Sequence, residues 1–144
     1  MSSQFWEERY ATEEYVYGRE PNDFLRAEAH RIPKGRVLCL AEGEGRNAVF
    51  LAGLGYDVTA VDASTAGLRK AERLAREQNV SIATVHADLT TYEPEWDTFN
   101  GVVAIFAHLP VVTRRRVHRW IQKALRVGGV FLLEAYSPAQ LAFD

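Results

Sequence analysis

Short apolar runs alternate with longer stretches of helical periodicity along most of the chain. The continuous apolar run at 36–40 is typical of a strand that is buried on both faces of a sheet. Over 66–79, Leu68, Ala71, Leu74 and Ala75 share one helical face. These patterns predict strands over 36–40, 56–64, 80–89, 99–109 and 130–136, and helices over 45–55, 66–79 and 113–129.

The order of these elements predicts the fold. Strands that alternate with helices form parallel sheets with right-handed crossovers, which predicts an α/β, doubly wound, mainly parallel sheet of about five strands with helices on both faces. Before the first strand, Ser3 is a candidate N-cap for one helix and Pro21-Asn22 begins a second. We expect a single domain over 1–144, divided into an N-terminal helical segment (1–33) and an α/β core (34–144).

The composition is that of an ordinary globular protein, with 47% hydrophobic and 25% charged residues. The formal net charge of −2 gives no electrostatic footprint for nucleic acid. No apolar run has the length of a membrane span or the character of a signal-peptide core, so we expect a cytoplasmic protein without a membrane partner. The histidines and the single cysteine are not grouped as metal ligands, and no metal is expected.

The loop after the first strand, "AEGEG" at 41–45, carries the most specific signal. Gly43, Gly45 and Ala48 fit the pattern G-x-G-x-x-A of dinucleotide-binding loops, and Asp62 follows Gly43 by nineteen residues, close to the spacing of a ribose-binding acid. By spacing alone, an NAD-type function stays open. In a doubly wound sheet, this loop lies at the carboxyl ends of the strands, where ligands bind.

The two glutamates of this loop, Glu42 and Glu44, disfavour a phosphate ligand. A carboxylate about 4 Å from a phosphate charge costs up to ~4 kcal/mol at an effective dielectric constant of ~20. A ligand with a sulfonium and an ammonium and no phosphate meets no such cost. The acidic loop therefore favours S-adenosylmethionine over NAD.

Several segments together resemble a known family. The segment "VLCLAEGEGRNAVFLAGLGYDVTAVDAS" is similar to the first two motifs of class I S-adenosylmethionine-dependent methyltransferases, and closest to the small tellurite-resistance and thiopurine-type enzymes. The segments "ATVHADL", "FNGVVAIFAHL" and "ALRVGGVFLLEAY" resemble the later motifs, and "FWEERYATEEYVYGREPNDFL" resembles the N-terminal lid. The resemblance implies a Rossmann-like fold in which residues 1–33 form the lid. Ala41 departs from it by replacing a glycine, and from the resemblance we expect a sheet without the family's last antiparallel strands.

The resemblance and the strand order imply a set of cofactor contacts. Asp62 is expected to bind the ribose hydroxyls, and Glu42 the ribose or the methionine portion. Arg46 is a candidate for the ligand carboxylate, or else a surface arginine paired with a loop glutamate. Asp88 is expected to accept from the adenine amino group, or else only to turn the chain. The predicted cofactor contacts are Trp6, Tyr17, Ala41, Glu42, Gly43, Gly45, Arg46, Asn47, Asp62, Ala63, Asp88, Leu89 and Phe106.

The predicted function is transfer of a methyl group from S-adenosylmethionine to a small-molecule acceptor, with S-adenosylhomocysteine as the product. A thiol or a chalcogen anion is a soft nucleophile that needs no protein base, so no catalytic residue is assigned and His108 is only a weak candidate. A non-catalytic protein that binds either cofactor form is the alternative, and an NAD-type oxidoreductase is disfavoured. An unpaired edge on the fifth strand predicts a homo-oligomer formed through that edge.

Overall fold

The computed structural model describes residues 3–11, 15, 18–41, 43–105, 107 and 109–134. Within these residues, five strands form a single sheet in the order β3-β2-β1-β4-β5, and every neighbouring pair is parallel. The strands are β1 (Arg36–Leu40), β2 (Asp57–Asp62), β3 (Ala83–His86), β4 (Phe99–Ile105) and β5 (Leu125–Glu134). The helices are α1 (Ser3–Tyr10), α2 (Asp23–Glu28), α3 (Arg46–Gly53), α4 (Thr65–Glu77) and α5 (Val111–Ala124), with a short 3₁₀ turn at Ala29–Arg31.

The sheet is covered on both faces, which confirms the predicted doubly wound α/β architecture. Alternate residues of β1 point to opposite faces, as the period of a strand requires. Val37 and Cys39 belong to one apolar cluster, together with residues of α2 and α3. Leu38 and Leu40 belong to the other, which includes the buried face of α5. Because β1 is buried on both sides from Val37 to Leu40, these four residues are all apolar.

Several predicted boundaries are wrong. The last predicted helix was expected to reach the glycines at 128 and 129, but α5 ends at Ala124 and β5 begins at Leu125. Leu125 pairs with Phe99, and an irregularity in the register then separates this pair from the next one, Gly101 with Val130. Pairing with β4 therefore overrides the local stop signal. The third and fourth strands are also shorter than predicted.

The N-terminal segment contains helices, as expected. α1 packs against α4, and Glu7 Oε1 accepts hydrogen bonds from Thr65 Oγ1 (2.7 Å) and Ala66 N (3.1 Å). Asn22 is the N-cap of α2, and its side chain accepts from Leu25 N at 3.0 Å. α1 begins at Ser3, so this residue lies inside the helix and is not its cap. The division into 1–33 and 34–144 stays a prediction.

Candidate functional site

The carboxyl ends of the strands form the edge at which the predicted site lies. β1 has β2 on one side and β4 on the other, so the connections after β1 and β4 leave in opposite directions. A crevice for ligands opens at this kind of switch point. Ala41 follows β1, Asp62 ends β2 and Glu134 ends β5 along this edge.

The loop between β1 and α3 has a left-handed backbone at three described positions. The φ angles are +51° at Ala41, +63° at Gly43 and +91° at Gly45. Glycine adopts this conformation freely, whereas an L-residue there costs about 1–2 kcal/mol. The predicted departure at Ala41 therefore falls on a residue whose backbone favours glycine.

The described glycines of this loop are also enclosed by protein atoms. A Cβ on Gly45 would lie 2.4 Å from Ala71 Cβ and 2.6 Å from Ala71 Cα, on α4. A Cβ on Gly43 would lie 2.6 Å from the Tyr10 hydroxyl oxygen. Tyr10 is buried and rests over the loop, a contact that its position in the sequence does not reveal. Close packing against α4 is thus sufficient to require glycine at 45. At 43 the left-handed backbone favours glycine, and a Cβ there would also displace the end of the Tyr10 side chain.

Asp62 joins this loop to the start of α4. Its Oδ2 accepts from Gly43 N (2.7 Å) and its Oδ1 accepts from Ser64 N (2.9 Å). The residue is only 8% exposed, and burial raises the pKa of the Asp62 carboxyl above its ordinary value, while the hydrogen bonds from Ser64 and Gly43 lower it. A carboxylate offers about four lone-pair positions, so further donors can still be bound.

The expectation that both loop glutamates make the loop acidic is wrong for Glu44, which forms an ion pair. Its Oε2 lies 2.7 Å from Lys70 Nζ, and the two side chains are 4% and 7% exposed. The charge of Glu44 is therefore compensated inside the protein. The electrostatic case against a phosphate ligand now depends on Glu42, which lies outside the described residues.

Arg46 and Asn47 begin α3 and contact the N-terminal segment. Arg46 Nη1 lies 3.5 Å from Glu20 O. Asn47 is buried, and its Oδ1 accepts from Asn22 N at 2.8 Å. Asn22 Nδ2 in turn donates to Glu134 Oε1 at 3.0 Å. Asn22 and Glu134 were not predicted as site residues, although the Pro-Asn pair was recognised as the start of a helix.

Arg46 also lines a cavity of about 340 Å³ on the outer side of α3. Glu20, Val49, Phe50 and Leu74 share this cavity with it. Of the predicted cofactor residues that the structure describes, Arg46 alone belongs to its lining, and Asp62 does not.

The remaining described candidates lie at or near the carboxyl end of β3. Asp88 is exposed, and its Oδ1 accepts from Thr90 N (2.9 Å) and Thr90 Oγ1 (2.8 Å), which lower the pKa of its carboxyl. Leu89 is buried in the apolar cluster under α5. Ala63 O lies 2.9 Å from His86 Nε2. These contacts fit a turning role for Asp88, and its predicted contact with adenine stays a prediction.

The other candidates lie outside the described residues: Tyr17, Glu42, Phe106, His108 and the side chain of Trp6. Within the described ranges, no group of three or more potential ligands is placed to hold a metal ion. Of the helices in that part of the chain, none is long and apolar enough to span a membrane.

Comparison with known proteins identifies the family to which this chain is similar. Residues 37–129 match a family model described as a methyltransferase domain. The chain is 30% identical over 112 residues to the uncharacterized methyltransferase YbaJ of Bacillus subtilis, and the match covers 76% of this chain and 43% of YbaJ.

Solved structures agree with the fold. The PH0226 protein of Pyrococcus horikoshii superposes with a TM-score of 0.73 at 24% identity, over 83% of this chain and 55% of that one. The glycopeptide N-methyltransferase MtfA, solved with S-adenosylmethionine, superposes with a TM-score of 0.67 at 28% identity, over 87% of this chain and 54% of that one. The chain thus spans about half the length of these relatives. The family match covers most of the chain, from β1 into β5, and the chain belongs to the methyltransferase domain family.

Proposed function

We propose that this chain binds S-adenosylmethionine at the carboxyl edge of its sheet and takes part in transferring the methyl group to a small-molecule acceptor. The family and the cofactor-bound relatives support the cofactor class. The observation that carries the proposal is the buried Asp62 carboxylate, held at the end of β2 by the N–H groups of Gly43 and Ser64.

The proposed role of Asp62 is to accept hydrogen bonds from the two ribose hydroxyls. Oδ2 accepts from Gly43 N and Oδ1 accepts from Ser64 N, and a carboxylate has about four lone-pair positions, so it has acceptor capacity left for a hydroxyl. The same contacts fix the direction of the Gly43 amide, so ribose binding and loop geometry depend on one side chain. The other predicted cofactor contacts, including Glu42 for the methionine portion, stay part of the proposal.

Calorimetric titration with S-adenosylmethionine, S-adenosylhomocysteine and NAD tests the cofactor. We expect both adenosyl ligands to bind and NAD not to bind. Asp62→Asn removes the charge but keeps one acceptor, and it should weaken S-adenosylmethionine roughly ten- to a hundred-fold, since hydrogen bonds to charged groups contribute about 1.5–3 kcal/mol. The matched control is Asp57→Asn, an exposed residue at the other end of β2, which should leave the affinity unchanged.

Two results would contradict this assignment. Binding of NAD without binding of S-adenosylmethionine would show that the proposed cofactor is wrong. An Asp62→Asn protein with wild-type affinity would remove Asp62 from the ribose site. Asp62→Ala is a poorer test, because it leaves two backbone donors without their acceptor and disturbs the loop as well.

For the acceptor, we propose a thiol or a chalcogen anion. Its support is the resemblance to the tellurite-resistance and thiopurine-type enzymes, and the fact that a soft nucleophile reacts without a protein base. In-line displacement at the methyl carbon then requires mainly positioning of the two reactants and exclusion of water. Release of S-adenosylhomocysteine with a small thiol, compared with a small amine, tests this choice. Faster reaction with the amine would favour nitrogen, the acceptor type named for MtfA. Binding of the cofactor with no transfer to either acceptor would favour the non-catalytic alternative.

We also propose that β5 mediates self-association. Among the described strands, it pairs with β4 alone. Val127 is fully exposed on it and Leu133 is 44% exposed. Unpaired strand edges with apolar side chains favour pairing with another chain.

A further inference from the structure

The Lys70–Glu44 ion pair lies directly beneath the glycine loop. Nζ and Oε2 are 2.7 Å apart, and neither side chain is more than 7% exposed. Glu44 stands between Gly43 and Gly45, both in the left-handed conformation. Of these three residues only Glu44 has a side chain, so it provides the side-chain attachment of this turn to α4.

A buried ion pair of this kind needs an explanation other than stability. The cost of removing both charges from water often exceeds their attraction, so well-packed apolar residues of similar volume are frequently as stable. Such a pair does hold its two partners in one geometry, because either charge left alone in the interior is strongly unfavourable. A turn with two glycines has much conformational freedom to lose, and an anchored carboxylate restricts it.

Lys70 is itself held by the N-terminal segment. The Tyr15 hydroxyl donates to Lys70 O at 3.1 Å, and Lys70 Nζ lies 5.7 Å from the centre of the Tyr15 ring. A cation at this distance is attracted to the face of the ring. One lysine therefore contacts both the loop and the segment that precedes the core.

The glycine loop also contacts Asp62, the residue proposed to bind the ribose. Gly43, adjacent to Glu44, donates its N–H to Asp62 Oδ2. Glu44 is covalently joined to Gly43, so we expect a shift of Glu44 to move Gly43 and to change this hydrogen bond. The contacts thus run without a gap from Tyr15 through Lys70 and Glu44 to Asp62.

We propose that Lys70 is a positioning residue for cofactor binding, which fixes the glycine loop through Glu44. The inference rests on the proposed function, because it assigns the loop to S-adenosylmethionine. Lys70 touches no cofactor in this proposal. It acts by holding Glu44, and thereby the Gly43 amide, in the geometry that Asp62 requires.

A double-mutant cycle on S-adenosylmethionine affinity tests the proposal. We expect Lys70→Met and Glu44→Gln each to raise the dissociation constant at least ten-fold in proteins that remain folded. The double variant should be no weaker than the worse single variant, because both changes break the same contact. One control is Glu72→Gln, which removes a carboxylate of α4 that accepts from Thr84 Oγ1. The other is Lys34→Met, which removes an exposed lysine. Both control variants should keep wild-type affinity.

Hydrogen exchange supplies a readout that does not depend on the ligand. The Gly43 amide is held by Asp62, and we expect it to exchange at least ten-fold faster in Lys70→Met, while the amide of Val103 in the core follows global stability. If Lys70→Met does not fold, Glu44→Gln gives the same comparison. Affinity within two-fold of wild type, losses that multiply in the double variant, or unchanged exchange at Gly43 would each overturn the proposal. A wild-type protein that binds no S-adenosylmethionine would refute the proposed function, and the exchange of Gly43 would still decide whether Lys70 fixes the glycine loop.

Discussion

Gly45→Ala is a direct test of why the loop needs glycine. At φ +91°, alanine carries a strain of about 1–2 kcal/mol. Its Cβ would also lie 2.4 Å from Ala71 Cβ and 2.6 Å from Ala71 Cα, and overpacking of this kind costs about 1–3 kcal/mol. Together these effects should lower the free energy of unfolding by about 2–5 kcal/mol, a large share of the ~5–15 kcal/mol of a typical domain.

Urea unfolding without any ligand, followed by circular dichroism, measures this loss. The matched control is Gly53→Ala at the end of α3, where a Cβ meets nothing within 4 Å. There alanine should stabilise the protein by up to about 1 kcal/mol, because it restricts the unfolded chain and favours the helix. Adding Ala71→Gly to Gly45→Ala should restore only part of the loss, since the Cα of residue 71 remains 2.6 Å away.

The outcome distinguishes two reasons for the glycine. If Gly45→Ala unfolds like the wild type but loses S-adenosylmethionine binding, the glycine serves the approach of a ligand and the packing explanation is refuted. If stability falls without ligand by the expected amount, the left-handed backbone at Gly45 and the close approach of α4 are together sufficient to explain the glycine.

Two further predictions follow from burial and from the sheet edge. Because burial raises the pKa of Asp62 above the ordinary 3.8, and because ribose binding uses the ionised form, S-adenosylmethionine affinity should fall with decreasing pH already above that value. Calorimetry between pH 7 and pH 4 should show this fall in affinity for the wild type, whereas the affinity of Asp62→Asn should lack the part that comes from protonation of residue 62. Equal pH profiles of affinity for the two proteins would contradict this prediction. Sedimentation velocity over a range of concentrations should show self-association that Val127→Lys on β5 reduces and Val112→Lys on α5, also exposed, does not. A wild-type chain that stays monomeric at high concentration would exclude the edge as an interface.

Much of the fold follows from the sequence alone. Strand β1 was predicted to the residue, because its buried residues, Val37 to Leu40, form a continuous apolar run, as burial on both faces requires. α4 was predicted within two residues at each end, because its apolar face repeats at helical spacing over about two turns. The structure adds that Ser64, which was predicted to belong to the second strand, is the N-cap of this helix. Five strands alternating with helices then leave few topologies, and the observed order β3-β2-β1-β4-β5 is one of them.

Tertiary structure decided what local signals could not. The sequence predicts that the last helix ends at the glycines at 128 and 129, whereas α5 ends at Ala124. The reason is that the residues after Ala124 pair with β4, a long-range interaction that no local pattern reports. Glu44 looked like a ligand-facing acid from its place in the loop, yet it pairs with Lys70, a residue 26 positions away. Tyr10 was one of several N-terminal aromatics in the sequence, and only the packing of α1 places it over Gly43. Residue types and spacing thus determined the elements and the candidate loop, whereas the compensation of charge and the packing around the glycines depend on contacts between distant segments, which exist only once the chain has folded.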